Sequence, residues 1–315
     1  MLQEMMVYVG QMEAYGKGVE VLQKLAGVET NDAQLYRVTD TYGSLLEPLG
    51  ESPAEPVVPI EAAVVEDKEV VYAEVDGSMV FTDDGWREVK LGRVFRASAC
   101  KKSSDPNRNG CIAESEYSAF LGHFNGFADR FEPVLSPYEH LGKRLVFLTD
   151  GALWIRNWIS QAYPNALQIL DFFHVKEHLA KFAQCAQPEP VKRKSWLAQQ
   201  CERLKQGKLD VVVADVQSFT LPLPSARDEQ ANLTAYLKSN EDRMQYNRYL
   251  EAGLFIGSGA IEAAHQTVIQ GRMKKSGQRW TAEGAQNMLN LRVAHKSNQW
   301  GKVVKLIHSA VAKAA

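Results

Sequence analysis

Two short apolar runs, each ending in an aspartate, constrain the fold of this chain more than any other feature of its sequence. The runs are Arg144–Asp150 and Ala166–Asp171. A short continuous apolar run is typical of a strand buried on both faces. Because a helical pattern follows each run, at about 152–162 and from about 172 onward, we expect parallel strands joined by a crossover helix.

The segment before these runs has the pattern of antiparallel strands. Glu69–Asp76 and Trp86–Ala97 are rich in β-forming residues, and Thr82–Gly85 between them has the composition of a turn, so a hairpin is predicted. The Asp76-Gly77 pair is expected to end the first strand. A third strand is predicted near Ser115–Phe120. Hairpins followed by parallel units predict an α/β fold, with a five-stranded mixed sheet and helices on both faces.

The rest of the chain divides by composition and helical periodicity. Residues 1–48 are predicted to form a helical N-terminal domain, compatible with a helix-turn-helix or with a simple helical hairpin. An acidic linker containing prolines is predicted at 49–68, and the first part of the sheet core at 69–178. A helical insertion follows at 179–252. Residues 253–297 carry a Gly-Ser-Gly turn and a helix that completes the core, and 298–315 form a basic C-terminal helix.

Composition excludes some classes of protein and suggests a polyanionic partner. Of the 315 residues 45% are hydrophobic, and no apolar run has the roughly 20 residues that a membrane span needs, so no membrane partner is expected. The four cysteines form no C-x-x-C pair, which predicts reduced, mostly buried thiols. Residues 263–315 contain nine lysines or arginines and one acid. This basic segment indicates either nucleic acid binding or a solvated helical face.

Three acidic residues are predicted to converge at one edge of the sheet. Asp76 and Asp150 follow strands, and Glu262 lies in the first turn of the helix after Gly257-Ser258-Gly259. Converging carboxylates repel one another unless a cation joins them, and Mg²⁺ prefers such oxygen ligands. Each residue alone also has a structural explanation, as a turn residue, a helix cap and a first-turn acid respectively.

Five stretches, in this order along the chain, resemble the DDE transposases of bacterial insertion sequences, most closely the Kra-type group: Val75–Gly77, Leu148–Ile155, Leu170–Val175, Ile256–Ala263 and Arg272–Trp280. The resemblance spans about residues 19–292. It implies a ribonuclease-H-like fold with an inserted all-helical domain, and it implies that Asp76, Asp150 and Glu262 bind two Mg²⁺ or Mn²⁺ ions. Members of this group often extend further at the N-terminus, so this chain is expected to lack an upstream DNA-binding segment that independent transposition would need.

The resemblance further implies an enzyme that hydrolyses a phosphodiester at the ends of a transposon and joins the freed end to target DNA. It also implies a cytoplasmic, nucleoid-associated protein that forms a homodimer on DNA. Two alternatives remain open from the residues alone. One is a stand-alone ribonuclease-H-like nuclease, and the other is a truncated or domesticated remnant that only binds DNA.

Asp171 and His174 match a further motif of this family. They are predicted to support the metal site from beside it, or alternatively to cap and pack the helix that they begin. His178 shares their helix face, but no convincing third ligand follows, so the sequence argues against a metal at the histidine pair. His265 is expected either to touch substrate or to lie on the surface of the helix that carries Glu262.

A cluster after the Glu262 helix is predicted to contact DNA. It consists of Arg272, Lys274, Lys275, Arg279 and Trp280. Guanidinium groups bind phosphate through paired hydrogen bonds, and an indole stacks on an unpaired base. The alternative is that Trp280 belongs to the core and that the cations are solvated.

Overall fold

The computed structural model describes residues 1–46, 69–101 and 110–314, and the chain divides into two compact units. Unit 1 comprises Met1–Leu145 and Gly259–Ala315, and unit 2 comprises Val146–Ser258. The predicted acidic linker lies outside the described residues. The domain boundaries predicted from the sequence stay predictions.

Unit 1 contains an antiparallel sheet and two groups of helices. Its helices are α1 (Leu2–Met12), α2 (Tyr15–Ala26), α3 (Asp32–Leu45), α4 (Phe124–Leu135), α11 (Gly259–Ala264), a π-helix (His265–Gln270), α12 (Gly271–Met273), α13 (Ala282–Lys296) and α14 (Trp300–Ala314), with 3-10 segments at Ala97–Ala99 and Ser136–Arg144. Its strands are β1 (Val71–Thr82), β2 (Gly85–Arg96), β3 (Cys100–Lys101), β4 (Cys111–Ile112) and β5 (Glu116–Leu121).

The hairpin predicted from the sequence is present, but its first strand is longer than predicted. β1 pairs with β2 over its whole length, from Val71 opposite Arg96 to Thr82 opposite Gly85. Asp76 pairs with Leu91 near the middle of this ladder, so the expectation that Asp76 ends the strand is wrong. A long partner strand holds the Asp-Gly pair extended, because each residue of β1 finds a partner in β2. β5 adds antiparallel to the other edge of β2.

The N-terminal helices follow local signals in the sequence and share a core with the C-terminal helices. Gly27 ends α2 with a left-handed backbone (φ 63°), which glycine adopts without strain. The side chain of Asn31 accepts a hydrogen bond from the Gln34 amide at 2.9 Å and so caps α3. Val7 and Tyr42 pack in one cluster with residues of α13 and α14. These three helices therefore fold as part of unit 1.

Unit 2 consists of a parallel strand pair and a set of helices. Its elements are β6 (Leu145–Thr149, whose first residue belongs to unit 1), α5 (Leu153–Ala162), β7 (Leu167–Leu170), α6 (Phe172–Ala186), α7 (Pro190–Lys205), α8 (Leu209–Ser218), α9 (Pro224–Ser239), a 3-10 turn (Glu241–Arg243) and α10 (Tyr246–Glu251). β6 and β7 pair in parallel, with Val146 opposite Leu167. All five residues of β6 are buried, as its continuous apolar sequence predicts.

The architecture is therefore α/β with a five-stranded mixed sheet, as the order of elements in the sequence predicts. Within the described residues no helix is both long and apolar enough to cross a membrane. The four cysteines are all free thiols. The expectation that they are mostly buried is wrong, because Cys111 and Cys185 are exposed and the other two are partly exposed.

Candidate functional site

A polar cleft of about 320 Å³ in unit 1 contains two of the three predicted acidic residues. One wall is the middle of β1, with Asp76, Gly77 and Ser78. The other wall is the helical segment that starts at Gly259, and the residues it contributes are Glu262, His265, Gln266 and Gln270. Asp76 and Glu262 are 186 positions apart in the sequence, and the fold brings them to the same cleft.

The Asp76 carboxylate is held at the cleft by one short contact to its own strand. Its Oδ1 accepts a hydrogen bond from the Gly77 amide at 2.7 Å. Its Oδ2 lies 3.1 Å from Nε2 of His265. Glu262 is exposed in the first turn of α11, and its carboxylate has no hydrogen bond or ion pair to any residue that the structure describes. The cleft thus presents one restrained carboxylate and one that is available for a ligand.

His265 lies behind these two acids and is not a surface residue. Only 4% of its surface is exposed, so the expectation of a helix-surface histidine is wrong. Neither ring nitrogen makes a well-aligned hydrogen bond within the described chain, although Nε2 is close to Asp76. A buried polar group without such a bond is costly. The imidazole is therefore placed to act on the Asp76 carboxylate or on a ligand of the cleft.

A π-helix and a buried arginine shape the helical wall of the cleft. The helix predicted after the Gly-Ser-Gly turn is interrupted at His265–Gln270, where the backbone is wound as a π-helix. Arg292 on α13 donates from Nε to the Val268 carbonyl at 3.0 Å and from a terminal nitrogen to the Thr267 carbonyl. Burial, together with nearby Arg272, lowers the pKa of Arg292 to about 10. Arg292 thus satisfies backbone acceptors in the segment that follows Glu262.

Asp150, the third predicted acid, lies in unit 2 at the end of β6. Its Oδ1 accepts a hydrogen bond from the Ala152 amide at 3.0 Å. Gly151 between them has φ 94°, a conformation that favours glycine. The Tyr236 hydroxyl donates to the Asp150 carbonyl at 3.3 Å. Burial and the neighbouring Asp150 raise the pKa of Tyr236, so this hydroxyl keeps its proton at neutral pH.

Asp171 caps α6 and also fastens the Gly-Ser-Gly segment within unit 2. Its carboxylate accepts hydrogen bonds from the Phe173 amide at 2.9 Å, from the Ser258 amide at 3.2 Å and from the Ser258 hydroxyl. The Phe172 amide donates to the Ile256 carbonyl at 2.8 Å. Ser258 therefore bonds to Asp171. A side chain at Gly257 would clash with the Phe173 ring, because its Cβ would lie 2.4 Å from it.

His174 and His178 form a close pair on α6. Their Nε2 atoms are 3.2 Å apart, and the His178 ring stacks on Tyr236 with ring centroids 4.2 Å apart. His174 Nδ1 lies 3.9 Å from the Glu177 carboxylate. The role of Asp171 and His174 in supporting the metal site stays a prediction.

Two of the five residues predicted to contact DNA are buried in unit 1. Arg272 is fully buried, with its guanidinium between the rings of Tyr15 and Trp280 at 4.7 and 5.0 Å. Its Nε donates to the Gly10 carbonyl at 2.9 Å. The Trp280 indole is also buried and donates to the Met273 carbonyl at 3.1 Å. This placement favours the core alternative for Trp280, whereas Arg272 is buried and not solvated as its alternative has it.

The other three cations lie nearer the surface, where each has a partner. Lys275 pairs with Glu13 at 2.8 Å, and Arg279 pairs with Asp83 at 2.6 Å. Lys274 donates to the Ser78 hydroxyl at 2.5 Å, at the edge of the cleft that contains Asp76. Exposed pairs of this kind contribute little to stability, so phosphate groups can replace the acidic partners. DNA contact by these three residues stays a prediction.

The acidic residues are distributed between the two units. Asp76 and Glu262 share the cleft of unit 1, whereas Asp150 and Asp171 belong to unit 2. Among the described residues, no group of three or more His, Cys, Asp or Glu side chains is arranged to hold a metal ion. The donor chemistry of the cleft, carboxylate oxygens with open space before them, fits Mg²⁺, but two acids alone make an incomplete site.

The chain belongs to the uncharacterised protein family UPF0236, whose model matches residues 61–307. No curated protein matches the chain. The family match includes the residues of both units that line the cleft or end the parallel strands, namely Asp76, Asp150, Asp171 and Glu262.

Three residues with clear positions in these clusters were missed by the sequence reasoning. Tyr236 contacts Asp150 and His178, Arg292 supports the π-helix, and Ser258 bonds to Asp171. Tyr236 and Arg292 lie within helical patterns that carry no sign of such a partner. Ser258 lies in the predicted Gly-Ser-Gly turn, and its hydrogen bonds to Asp171, 87 positions earlier in the chain, form only in the fold.

Proposed function

We propose that this protein is a DDE transposase with a ribonuclease-H-like core. The observation that carries the proposal is the cleft of unit 1, which brings Asp76 and Glu262 together with a buried histidine behind them. The order of elements adds support, because an antiparallel hairpin and third strand precede two parallel strands, each followed by a helix. The motifs that resemble insertion-sequence transposases contain these same acids.

In this proposal Asp76, Asp150 and Glu262 hold two Mg²⁺ or Mn²⁺ ions. Bound ions would activate the attacking oxygen and stabilise the leaving oxygen of a phosphodiester. The chain's own residues position the reacting groups. Nε2 of His265 lies 3.1 Å from one oxygen of the Asp76 carboxylate, and the Gly77 amide donates a hydrogen bond to the other. Glu262, whose carboxylate has no hydrogen bond or ion pair within the described residues, would take up a ligand.

The substrates would be the transposon ends and target DNA, bound by a homodimer in the nucleoid. Lys274 at the rim of the cleft and Arg279 nearby supply exposed positive charge for phosphate groups. Their present partners are a hydroxyl and an exposed acid, which a phosphate can displace at small cost. Arg272 and Trp280 support this surface from below.

A plasmid carrying the DNA that flanks the coding sequence tests the proposal. We expect nicking and strand transfer in Mg²⁺ but not in EDTA. Asp76→Asn, Asp150→Asn and Glu262→Gln should each slow cleavage by at least about 100-fold, the scale of losing one preorganised electrostatic contact. Glu241→Gln, an exposed carboxylate outside the clusters, is the matched control and should cleave normally.

The outcomes separate the alternatives. Cleavage without strand transfer would indicate a stand-alone nuclease, and DNA binding without cleavage would indicate a binding remnant. Normal cleavage by one of the three acidic variants would remove that residue from the metal site. Convergence of the acids is measured by replacing Mg²⁺ with Fe²⁺ and peroxide. Backbone cuts near residues 76, 150 and 262 are expected, and cuts confined to one of these positions would contradict a shared site.

A further inference from the structure

His174 and His178 have the geometry of two ligands of one transition-metal ion. They are one helical turn apart on α6, and their Nε2 atoms are separated by 3.2 Å. In a tetrahedral zinc site with bonds of about 2.0–2.1 Å to nitrogen, two nitrogen ligands are separated by about 3.3 Å. The fold therefore places both nitrogens at the spacing that a shared ion requires.

The surroundings of the two rings orient them for this role. A histidine that binds metal through Nε2 usually donates its Nδ1 proton to a carboxylate or carbonyl group. Nδ1 of His174 lies 3.9 Å from the Glu177 carboxylate, too far for a direct hydrogen bond but near enough for a water molecule to bridge the two groups. The His178 ring is held by stacking on Tyr236, with an angle of 28° between the planes. The sequence His174-Val-Lys-Glu177-His178 has the H-x-x-E-H spacing of a known class of zinc sites.

The pair is accessible from solvent. The His174 side chain is 34% exposed, so an ion can reach the pair without opening the helix. Within the described residues no third His, Cys, Asp or Glu completes the set, so water would fill the remaining positions. Imidazole nitrogens suit Zn²⁺, Ni²⁺ and Cu²⁺, whereas Mg²⁺ prefers oxygen ligands. This chemistry separates the pair from the carboxylates of the proposed catalytic site.

We propose that His174 and His178 form a binding site for one divalent transition-metal ion of the Zn²⁺, Ni²⁺ and Cu²⁺ class. The site lies in unit 2 and does not depend on the proposed transposase activity. The sequence alone argues against a metal here because no further ligand follows His178. The structure changes that conclusion, because the two rings are already arranged and one of them has a carboxylate beside its second nitrogen.

The competing account is a hydrogen bond between the two imidazoles, in which one Nε2 donates to the other. A metal ion must displace the proton of that bond, so a pair that serves only as a hydrogen bond shows no saturable metal binding. The metal account predicts one bound ion per chain and a Cu²⁺ electron paramagnetic resonance spectrum with coupling to two nitrogens. The two accounts therefore give opposite results for the unmodified protein.

The experiment titrates the metal-free full-length chain with Zn²⁺ and Ni²⁺ by calorimetry and records the Cu²⁺ spectrum. His174→Gln and His178→Gln should each weaken binding by at least about tenfold, the least that loss of a group around a metal usually costs. His140→Gln, an exposed histidine elsewhere, is the matched control and should bind normally. Millimolar Mg²⁺ should not compete.

Three results would overturn the proposal: no saturable binding to the unmodified chain, binding unchanged in both glutamine variants, or a Cu²⁺ spectrum without two-nitrogen coupling. Melting curves of the variants check that they fold, and the spectrum of the unmodified chain decides the matter if they do not. Failure of DNA cleavage would leave these titrations unaffected, so the two proposals fail separately.

Discussion

The substitution Arg272→Lys tests whether the most deeply buried cation of the basic segment stabilises the fold or binds DNA. Arg272 is fully buried, its Nε donates to the Gly10 carbonyl at 2.9 Å, and its guanidinium lies 4.7 Å from the Tyr15 ring and 5.0 Å from the Trp280 ring. Lysine keeps the charge but has neither the flat group that stacks between two rings nor the fixed direction of the Nε donor.

The structure allows the loss to be approximated. A desolvated cation–π contact contributes about 2 kcal/mol, and a hydrogen bond from a charged donor contributes about 1.5–3 kcal/mol. An ammonium group recovers part of both, so we expect a net loss of about 3 kcal/mol. Unit 1 contains about 200 residues, for which 1 kcal/mol shifts the melting temperature by about 2–4 °C. The expected decrease is therefore about 6–12 °C.

Thermal unfolding followed by circular dichroism measures this decrease. Arg279→Lys is the matched control, because that side chain is 58% exposed and its replacement should shift the melting temperature by at most about 2 °C. DNA affinity is measured on the same preparations. If Arg272→Lys melts within about 2 °C of the unmodified protein and yet binds DNA more weakly, the buried contacts do not stabilise unit 1 and the structural role of Arg272 is refuted.

Three further substitutions have expected outcomes that follow from single contacts. Burial raises the pKa of Glu116 above its usual 4.5, so the folded state loses stability as the pH rises above that value. Glu116→Gln should therefore have a higher melting temperature than the unmodified protein at pH 7. This difference in melting temperature should vanish below about pH 4. Gly43→Ala should cost about 1–3 kcal/mol in urea unfolding, because its Cβ would lie 2.5 Å from the Asn287 carbonyl oxygen. Asp171→Asn keeps the helix cap but places an amide group against Ser258, so the variant should have a lower melting temperature than the unmodified protein. An equal melting temperature would contradict the role of Asp171 as the acceptor of three hydrogen bonds.

Elements that depend on local signals could be predicted from the sequence. Gly27 ends α2 and Asn31 caps α3, and glycine and asparagine are residue types that favour these positions. The buried strand β6 and the helix after it were also predicted, because a continuous apolar run followed by a helical period has few other solutions. In each case the interactions that decide the structure lie within a few residues.

Predictions failed where a distant partner decides the structure. Asp76-Gly77 is a common turn dipeptide, but pairing with β2 keeps the strand extended through it to Thr82. Trp280 illustrates the same limit, because its amide donates to the Phe81 carbonyl and its own carbonyl accepts from Asp83, about 200 positions earlier in the chain. No local pattern indicates such a pairing, so Trp280 was assigned to a DNA-contacting surface.

The wall of the cleft shows how a site can depend on residues that carry none of its chemistry. In a π-helix each backbone hydrogen bond spans one residue more than in an α-helix. Some carbonyl groups therefore need other donors, and the side chains that follow point in a new direction. Arg292 supplies those donors to Thr267 and Val268. Glu262 and His265 face Asp76 on one side of this segment, while Met273 packs into the core on the other. The geometry of the cleft therefore depends on α13, which carries Arg292, as much as on the helix that carries Glu262. A sequence motif around Glu262 alone cannot specify this geometry.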